Sequence, residues 1–481
     1  MQVPVGTIVS MSKHHRSRWL RTFLAAIFVY FSIGTIGAGE VKAHASLIGS
    51  TPAYQSVVTE APKTVQLVFD NLVEPGLVKV RLKDGNDVEV GKGTLVGERS
   101  PRNEVEFALP AHTTGSYLIT WVSFAFDGHI VSGTIPYTVD PNGATSPASS
   151  EEGETESTIP QGEGSTNRLI DIVDIQLRFF NYIGFSMVFG ALLWIWALKR
   201  RATEQAGTRE ESKSVDGGEF PEPGSDIDSA GSDDPKKQGE TPLDLIWRLA
   251  TQAKSLGIWI VAAGLFTRGA TSAWRLIDGG YERSDMMNQL WSGQVGGYLV
   301  AALAVAVVAA WPKLPETVGG AAVVFGALMS AGLGHAASEP APGINTVLMG
   351  LHIIAASLWV GGAAMLGYVA TEASFKANEQ RWLQLRAPLA KVSSVFIGST
   401  IVLAVTGTRS ALVYSENILE GRWGLTLAAK LVLAGGAGII GLYHYLRGRK
   451  GSGLSSATLV IESALLVLTL TAAAVLSVTV I

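Results

Sequence analysis

The chain has 481 residues, more than one ordinary domain needs, which predicts two or more domains. Hydrophobic residues make up 47% and charged residues 16% of it, below the ~25% charge of average soluble proteins. A net charge of -4 provides no basic field for phosphates, which argues against a nucleic-acid partner. The absence of cysteine excludes disulfides, iron–sulfur clusters and thiolate metal sites, so a metal would need nitrogen, oxygen or thioether ligands.

Residues 1–43 have the features of a secretory signal peptide. A basic segment precedes a largely apolar stretch from Trp19 to Ile36, and a short run of mostly small residues ends at Ala43. Cleavage after Ala43 would make His44 the first residue of the mature protein. The alternative is an uncleaved first membrane span, although the apolar stretch is at the short end for crossing a bilayer.

Residues 44–140 predict a compact, all-β, immunoglobulin-like sandwich. Segments rich in β-branched and alternating residues at 64–69, 76–82 and 116–126 are typical of strands, and 83–86 is a turn signal. This part of the sequence has no helical stripe, so an antiparallel sandwich of roughly 100 residues is the simplest interpretation.

Two polar segments predict connections rather than packed domains. Residues 141–168 are rich in Ser, Gly, Thr and Glu and cannot bury enough apolar surface to offset the entropy of ordering, so we expect a flexible linker. Residues near 202–241 are charged and punctuated by Gly and Pro, which predicts a disordered loop.

Residues 169–481 predict an all-α membrane domain of about eight helices, since a spanning helix needs ~20 apolar residues. The apolar stretches are 172–198, 255–274, 295–311, 318–334, 344–370, 392–413, 425–446 and 456–481. Basic residues gather in the loops after the first, third, fifth and seventh stretches, which places those loops in the cytoplasm. The β-sandwich then lies outside the cell or in the periplasm, as the signal peptide also requires. The sequence therefore predicts a multi-pass protein of the plasma membrane.

His44, Asp127 and His129 form a candidate metal site on the outer domain. A terminal His44 offers an α-amine and an imidazole to one metal ion, and Asp127 and His129 are two residues apart at a strand end, so their side chains can share a face. Three nitrogens and one carboxylate oxygen suit tetragonal Cu(II); zinc could use the same ligands, but the Irving–Williams order favours copper. The alternative is that 127–129 is only a polar turn. His112, in a predicted loop, is interpreted as a solvated side chain.

His335, Met349 and His352 form a second candidate site, within the membrane domain. His335 lies at the outer end of the fourth predicted helix and His352 about two turns into the fifth, so both face the side that carries the β-sandwich. Met349 shares a helix face with His352, and a thioether beside an imidazole suits Cu(I). Interhelical hydrogen bonds are the alternative for each histidine, and a heme between His335 and His352 is the alternative for the pair.

The outer domain resembles the CopC copper-resistance family. The residues that carry the resemblance are 43–47, 50–53, 115–117 and 121–133. It implies a small β-sandwich whose N-terminal histidine and Asp-Gly-His motif bind Cu(II), here through His44, Asp127 and His129. Ala125 and Ile130 stand where Ser and Pro are expected. Some members also have a Met-rich Cu(I) site, but residues 44–140 contain no methionine, which argues against one here.

The membrane domain resembles the CopD copper-transport family over about half of its length, mostly the C-terminal part. The residues that carry the resemblance are 334–335, 351–352, 359–362, 406–409, Gly424, Lys430 and Glu462. His444 stands where Asn is expected, and we interpret it as interfacial. Gly361 and Gly362 predict a close helix approach. Charged residues within the predicted spans are expected to pair; they are Arg268, Arg409, Lys430 and Glu462.

Residues and resemblances together predict a CopC–CopD fusion that binds Cu(II) outside the cell and transports copper, in the direction of uptake or delivery, as part of copper homeostasis or resistance. The predicted partners are copper ions, with Cu(I) in the membrane path, and the lipid bilayer. The sequence shows no Walker loop or Asp-Lys-Thr-Gly phosphorylation motif, so ATP does not drive transport directly, and we expect no enzymatic activity. The alternative function is a heme-binding membrane redox protein. An oxidative copper enzyme built on His44 is a further alternative, which Asp127 as a ligand argues against.

Overall fold

The structure is a computed structural model that describes residues 47–98, 102–124, 130–143, 161–162, 168–215, 241–278, 281–311, 315–333, 342–371, 385–414, 421–450 and 455–477. The predicted signal peptide lies outside the described residues. Four of the six predicted metal ligands also lie outside them: His44, Asp127, His129 and His335. Met349 and His352 are described.

Ten strands and one 3₁₀ turn, Pro75–Leu77, make up the N-terminal part of the fold. The strands are β1 (Leu47–Thr51), β2 (Ser56–Val58), β3 (Thr64–Val73), β4 (Lys79–Asp84), β5 (Glu89–Lys92), β6 (Thr94–Val96), β7 (Arg102–Ala108), β8 (Gly115–Phe124), β9 (Ile130–Val139) and β10 (Gln161–Gly162). The three predicted strands correspond to β3, to β4 with its preceding turn, and to β8. β10 arises within the predicted linker and pairs with β9.

The strands form two sheets that face each other. One sheet has the order β1-β3-β7-β6 and the other β10-β9-β8-β4-β5, with β2 added parallel to β9. Every second residue of β9 is buried, which gives the sheet one apolar face for the core. Phe69 of β3 and Trp121 of β8 meet across the two sheets with their ring centroids 5.4 Å apart, edge to face. The predicted antiparallel β-sandwich is confirmed.

Nine helices follow in the described residues. They are α1 (Arg168–Val215), α2 (Pro242–Asp278), α3 (Arg283–Ser292), α4 (Gln294–Ala310), α5 (Glu316–Gly332), α6 (Pro342–Thr371), α7 (Arg386–Tyr414), α8 (Gly421–Arg449) and α9 (Ser456–Leu476). Each of the eight predicted apolar stretches falls largely on one of these helices, and α3 is the additional one.

Six of these helices, α1, α2 and α6 to α9, are long and apolar enough to cross a membrane. α3 and α4 pass the same test only as a pair, bent by 44° at their junction, and α5 is a shorter apolar helix. The prediction of about eight spans is therefore supported in outline, with α4 and α5 as its two short members.

α1 continues well past the start of the predicted disordered loop at 202 and ends at Val215. Residues 202–215 contain several good helix formers, and Glu204 is paired with Arg200 one turn earlier and with Lys391 of α7. The loop is therefore shorter than predicted. α2 begins with a reciprocal cap, in which the Asp244 amide donates to the Thr241 hydroxyl and the Thr241 hydroxyl donates to the Asp244 carboxylate.

α1 and α6 approach each other through glycines. A β-carbon at Gly361 would overlap the Ser186 carbonyl oxygen, and one at Gly190 would overlap the Gly361 backbone. The indole nitrogen of Trp194 donates to the Gly362 carbonyl oxygen at 3.1 Å. The predicted close approach at Gly361 and Gly362 is confirmed, because side chains there would force the helices apart.

Candidate metal centre

The Asp-Gly-His motif lies outside the described residues, between the end of β8 and the start of β9. β8 ends at Phe124 and β9 begins at Ile130, and these two residues are paired in register. β8 is antiparallel to β4, with Val122 opposite Lys79, so Phe124 lies near the Pro75–Leu77 turn that precedes β4. The β8–β9 hairpin therefore ends beside this turn.

The first described residue, Leu47, lies toward the same end of the sandwich. Leu47 pairs with Phe69, and β1 runs antiparallel to β3, so the start of β1 lies toward the end of β3 and the turn after it. Phe69 in turn contacts Trp121, three residues before the end of β8. The N-terminal side of β1 and the β8–β9 hairpin end thus share one end of the sandwich, as a joint site of His44, Asp127 and His129 requires.

This end of the sandwich is docked on the membrane domain. Leu77 and Phe124 form one buried apolar cluster with Leu276 of α2, Tyr281 of the α2–α3 connection and Val295 of α4. The rings of Phe124 and Tyr281 meet edge to face, with centroids 6.3 Å apart. The Tyr281 hydroxyl donates to the Leu77 carbonyl oxygen at 2.7 Å, and burial raises the pKa of this hydroxyl.

Polar contacts surround the apolar cluster, and α3 supplies most of them. The Lys79 ammonium lies 2.9 Å from the Asp285 carboxylate, and the Gln289 amide donates to the Glu74 carboxylate at 3.1 Å. Asp285 and Gln289 are four residues apart, so they occupy one face of α3. An exposed pair, Lys92 with Glu282, adds a contact at 3.3 Å. These contacts fix the rotation of the sandwich as well as its position.

The exposed side of α3 includes large apolar residues beside polar ones. Met287, Leu290 and Trp291 are exposed by 45%, 41% and 81%, whereas Gln289 is only 2% exposed. A short helix with one docked polar face and large apolar side chains on its exposed side suits the membrane–water interface. Sequence reasoning did not anticipate α3 or the docking contacts, although the amphipathic pattern at 283–292 was a usable signal.

His112 is not the solvated side chain that the sequence suggested. Its Nδ1 lies 2.8 Å from the Pro110 carbonyl oxygen, and its Nε2 lies 2.7 Å from the Tyr137 hydroxyl. A carbonyl only accepts, so Nδ1 carries the proton and the Tyr137 hydroxyl donates to Nε2. Burial raises the pKa of the Tyr137 hydroxyl, which keeps this proton available to donate. Both ring nitrogens of His112 are therefore engaged in hydrogen bonds within the sandwich.

His352 lies on α6, about 15 Å along the helix from its start at Pro342, at 1.5 Å per residue. Its Nδ1 is 2.8 Å from the Thr406 hydroxyl of α7. A β-carbon at Gly407 would stand 3.3 Å from Cε1 of the same ring, so the glycine leaves room for the imidazole. The segments 351–352 and 406–409, which carried part of the CopD resemblance, therefore meet at the His352 ring.

Met349 contacts a different set of neighbours. It packs against the apolar cluster that α1, α2, α4 and α5 form with α6, whereas His352 is bonded toward α7. Among the described residues, no group of three or more His, Asp or Glu side chains is placed to hold a metal ion. Joint binding by Met349 and His352 stays a prediction, as does the part assigned to His335.

His444, for which we predicted an interfacial role, is buried against α9. Its side chain is 8% exposed. Its Nε2 lies 3.1 Å from the Thr458 hydroxyl and 3.9 Å from the Glu462 carboxylate, both of α9. Glu462 is 4% exposed, so the two ionisable side chains form a contact between α8 and α9. The expected charge pairing of Glu462 stays a prediction. Arg268 bonds the Ser330 hydroxyl at 3.1 Å and lies over the Tyr298 ring.

The architecture is that of a β-sandwich docked on a bundle of apolar helices. Residues 47–140 match the family model of the CopC domain. This part of the chain is a CopC domain.

Individual relatives match the same region. CopC from Methylosinus trichosporium OB3b is 30% identical and is matched over 100% of its length, which is 21% of this chain, with a TM-score of 0.20. PcoC, a methionine-rich copper resistance protein from Escherichia coli, is 21% identical over 20% of this chain and 100% of its own, with a TM-score of 0.19. Protein YobA of Escherichia coli K12 is 28% identical over 102 residues, which are 21% of this chain and 81% of that protein.

Proposed function

We propose that this protein binds copper outside the cell with its CopC domain and passes it through the helices of its membrane domain, for uptake or delivery. Copper is the cargo of this process, and no catalysis is assigned to the chain. The domain family, together with the relatives named for copper resistance, supports the choice of metal. The proposed outer ligands are His44, Asp127 and His129 for Cu(II), and the proposed membrane path includes His335, Met349 and His352 for Cu(I).

The observation that carries the proposal is the docking of the CopC domain. Phe124 and Ile130, which flank the Asp-Gly-His motif in the sequence, both belong to the apolar cluster with Leu276 and Val295. A domain on a free linker would have to deliver its metal by diffusion. A docked domain holds the end of the sandwich that bears the motif against the outer ends of α2 and α4.

A chain of contacts leads from the docking cluster toward His352. Tyr298, one turn after Val295 on α4, donates from its hydroxyl to the Leu333 carbonyl oxygen at the end of α5. A β-carbon on the neighbouring Gly332 would touch Thr346 of α6 at 3.0 Å. His352 follows Thr346 by about 9 Å along the helix. The outer end of α6, and with it the approach to His352, is thus close to the docked domain.

Passage from a Cu(II) site to a Cu(I) site adds one electron to the metal. A one-electron donor outside this chain, such as a thiol or ascorbate in the outer compartment, has to supply it. The proposed Cu(I) ligands, thioether and imidazole, are those that suit the reduced ion.

Copper accumulation in cells tests the proposal. Cells that lack the gene should contain less copper than cells with it, and a plasmid with the wild-type chain should restore the difference. His352→Ala should fail to restore it, while His112→Ala, whose imidazole is occupied by structural hydrogen bonds, serves as a matched histidine control and should restore it if the domain folds. Equal copper in all strains would contradict transport.

A further inference from the structure

The hydroxyl group of Thr406 makes two short contacts but has only one proton. Its Oγ1 lies 2.6 Å from the Val402 carbonyl oxygen and 2.8 Å from Nδ1 of His352. Two oxygens at 2.6 Å repel each other unless a proton lies between them, and a carbonyl oxygen has none to give. The Thr406 proton therefore points to Val402.

The direction of the second hydrogen bond follows. With its proton committed to Val402, the Thr406 oxygen can only accept from His352, so Nδ1 of His352 carries the ring proton. The neutral imidazole then has its lone pair on Nε2. Among the described residues, Nδ1 is the nitrogen of this ring that is hydrogen-bonded, which leaves Nε2 for a ligand.

We propose that Thr406 is a positioning residue that locks His352 in the tautomer with Nε2 as its copper-binding atom. This inference rests on the proposed copper path and names the atom and the supporting residue within it. Metal-binding histidines in proteins typically donate their other ring N–H to a fixed acceptor, which sets both the tautomer and the ring orientation.

The surroundings of the hydrogen bond favour a fixed ring. Thr406 is 3% exposed, so water does not compete for its oxygen. Gly407, the next residue, packs against the Cε1 edge, and a β-carbon there would be within 3.3 Å of it. The hydrogen bond holds one edge of the ring, and the space beside the adjacent edge is too small for a further side chain. Rotation of the imidazole would break the hydrogen bond.

Two variants of Thr406 distinguish the contribution of its hydroxyl group from that of its side-chain shape. Thr406→Val keeps the shape and removes the acceptor, whereas Thr406→Ser keeps the acceptor. Thr400→Val is the matched control on the same helix, because Thr400 makes the same type of bond to the Phe396 carbonyl at 2.9 Å but does not contact His352.

The first measurement is the tautomer, by nitrogen-15 NMR of histidine-labelled full-length protein in lipid bilayers, with His352→Ala to assign the signal. The expected result is a protonated Nδ1 and an unprotonated Nε2 in the wild type, in Thr406→Ser and in Thr400→Val, and a mixture in Thr406→Val. A protonated Nε2 in the wild type would overturn the inference, whatever the protein does with copper.

The second measurement is Cu(I) affinity of the same full-length samples in competition with a chelator. Loss of an outer-shell partner typically weakens metal binding about 10–100-fold, and this loss is expected for Thr406→Val but not for Thr406→Ser or Thr400→Val. Wild-type affinity in Thr406→Val together with weak binding in His352→Ala would overturn the inference and leave the proposed path intact. Wild-type affinity in His352→Ala would overturn the proposed path at this residue, and the role of Thr406 with it.

Discussion

Reversal of the charge at Lys79 should undock the CopC domain from the membrane domain. Lys79 and Asp285 are in contact at 2.9 Å, and their side chains are exposed by 40% and 11%. An ion pair with one exposed partner contributes about 1 kcal/mol, and Lys79→Glu replaces this attraction by a repulsion of similar size. The docked state should therefore lose about 1–2 kcal/mol, which raises the undocked fraction roughly 5–30-fold.

Spin-label distances measure this change directly. The chain has no native cysteine, so Val88→Cys on the sandwich and Met287→Cys on α3 give a clean label pair. Both side chains are well exposed, by 60% and 45%. A single narrow distance distribution is expected for the docked protein, and a broad one for Lys79→Glu.

The control restores docking without restoring the original charges. Asp285→Asn, combined with Lys79→Glu, removes the like charge and keeps an oxygen for the Glu282 amide, to which Asp285 is bonded at 3.1 Å. The double variant should return to the narrow distribution and to wild-type copper accumulation. An unchanged distribution in Lys79→Glu would refute the reasoning about the interface. Normal copper accumulation by an undocked variant would refute the role of docking in transport.

Three further predictions test the interface, the bundle and the choice of cargo. In the docked state the Tyr281 hydroxyl is buried and neutral, and burial raises its pKa above the ordinary value of about 10. Docking should therefore persist below pH 10 and weaken as the pH rises above it. In Tyr281→Phe the distances between the spin labels should not show this transition. Gly361→Ala should cost about 1–3 kcal/mol or prevent folding, since a β-carbon would overlap Ser186, while Gly398→Ala, with nothing within 4 Å of its β-carbon, should be neutral in thermal unfolding. The purified protein should lack a Soret band in its visible absorption spectrum; its presence would favour heme over copper.

The secondary-structure elements of this fold can be predicted from the sequence more readily than the way in which they pack together. A run of about 20 apolar residues has few folded alternatives to a membrane helix, so the predicted spans agree with α1, α2 and α4 to α9. The predicted strands at 64–69 and 116–126 likewise agree with β3 and β8. The extension of α1 to Val215 was missed because charged residues were taken as a sign of disorder, although Glu204 finds partners on two helices.

Docking could not be predicted because it joins residues that are ordinary by themselves. Leu77 and Tyr281 are 204 residues apart in the chain, and no local pattern marks them as partners. A flexible linker between the two domains suggested separate bodies. Only the packed structure shows that the polar face of α3 matches Glu74 and Lys79.

The membrane site stays a prediction, although two of its features have a structural counterpart. His352 was a candidate ligand and the 406–409 segment carried the CopD resemblance, and the structure brings Thr406 and Gly407 to the His352 ring. Helix spacing also put Met349 on the face of His352, yet the two side chains contact different helices. A separation of three residues determines the angle between two side chains around the helix axis. It does not determine which neighbouring helix each side chain contacts.

Copper uptake by liposomes that contain only the purified full-length protein tests the central claim most directly. With Cu(II) and ascorbate supplied on the side of the CopC domain, the account predicts copper inside the liposomes, at a rate that falls in Lys79→Glu and further in His352→Ala. Liposomes that bind copper at their surface but admit no more than protein-free liposomes would contradict it.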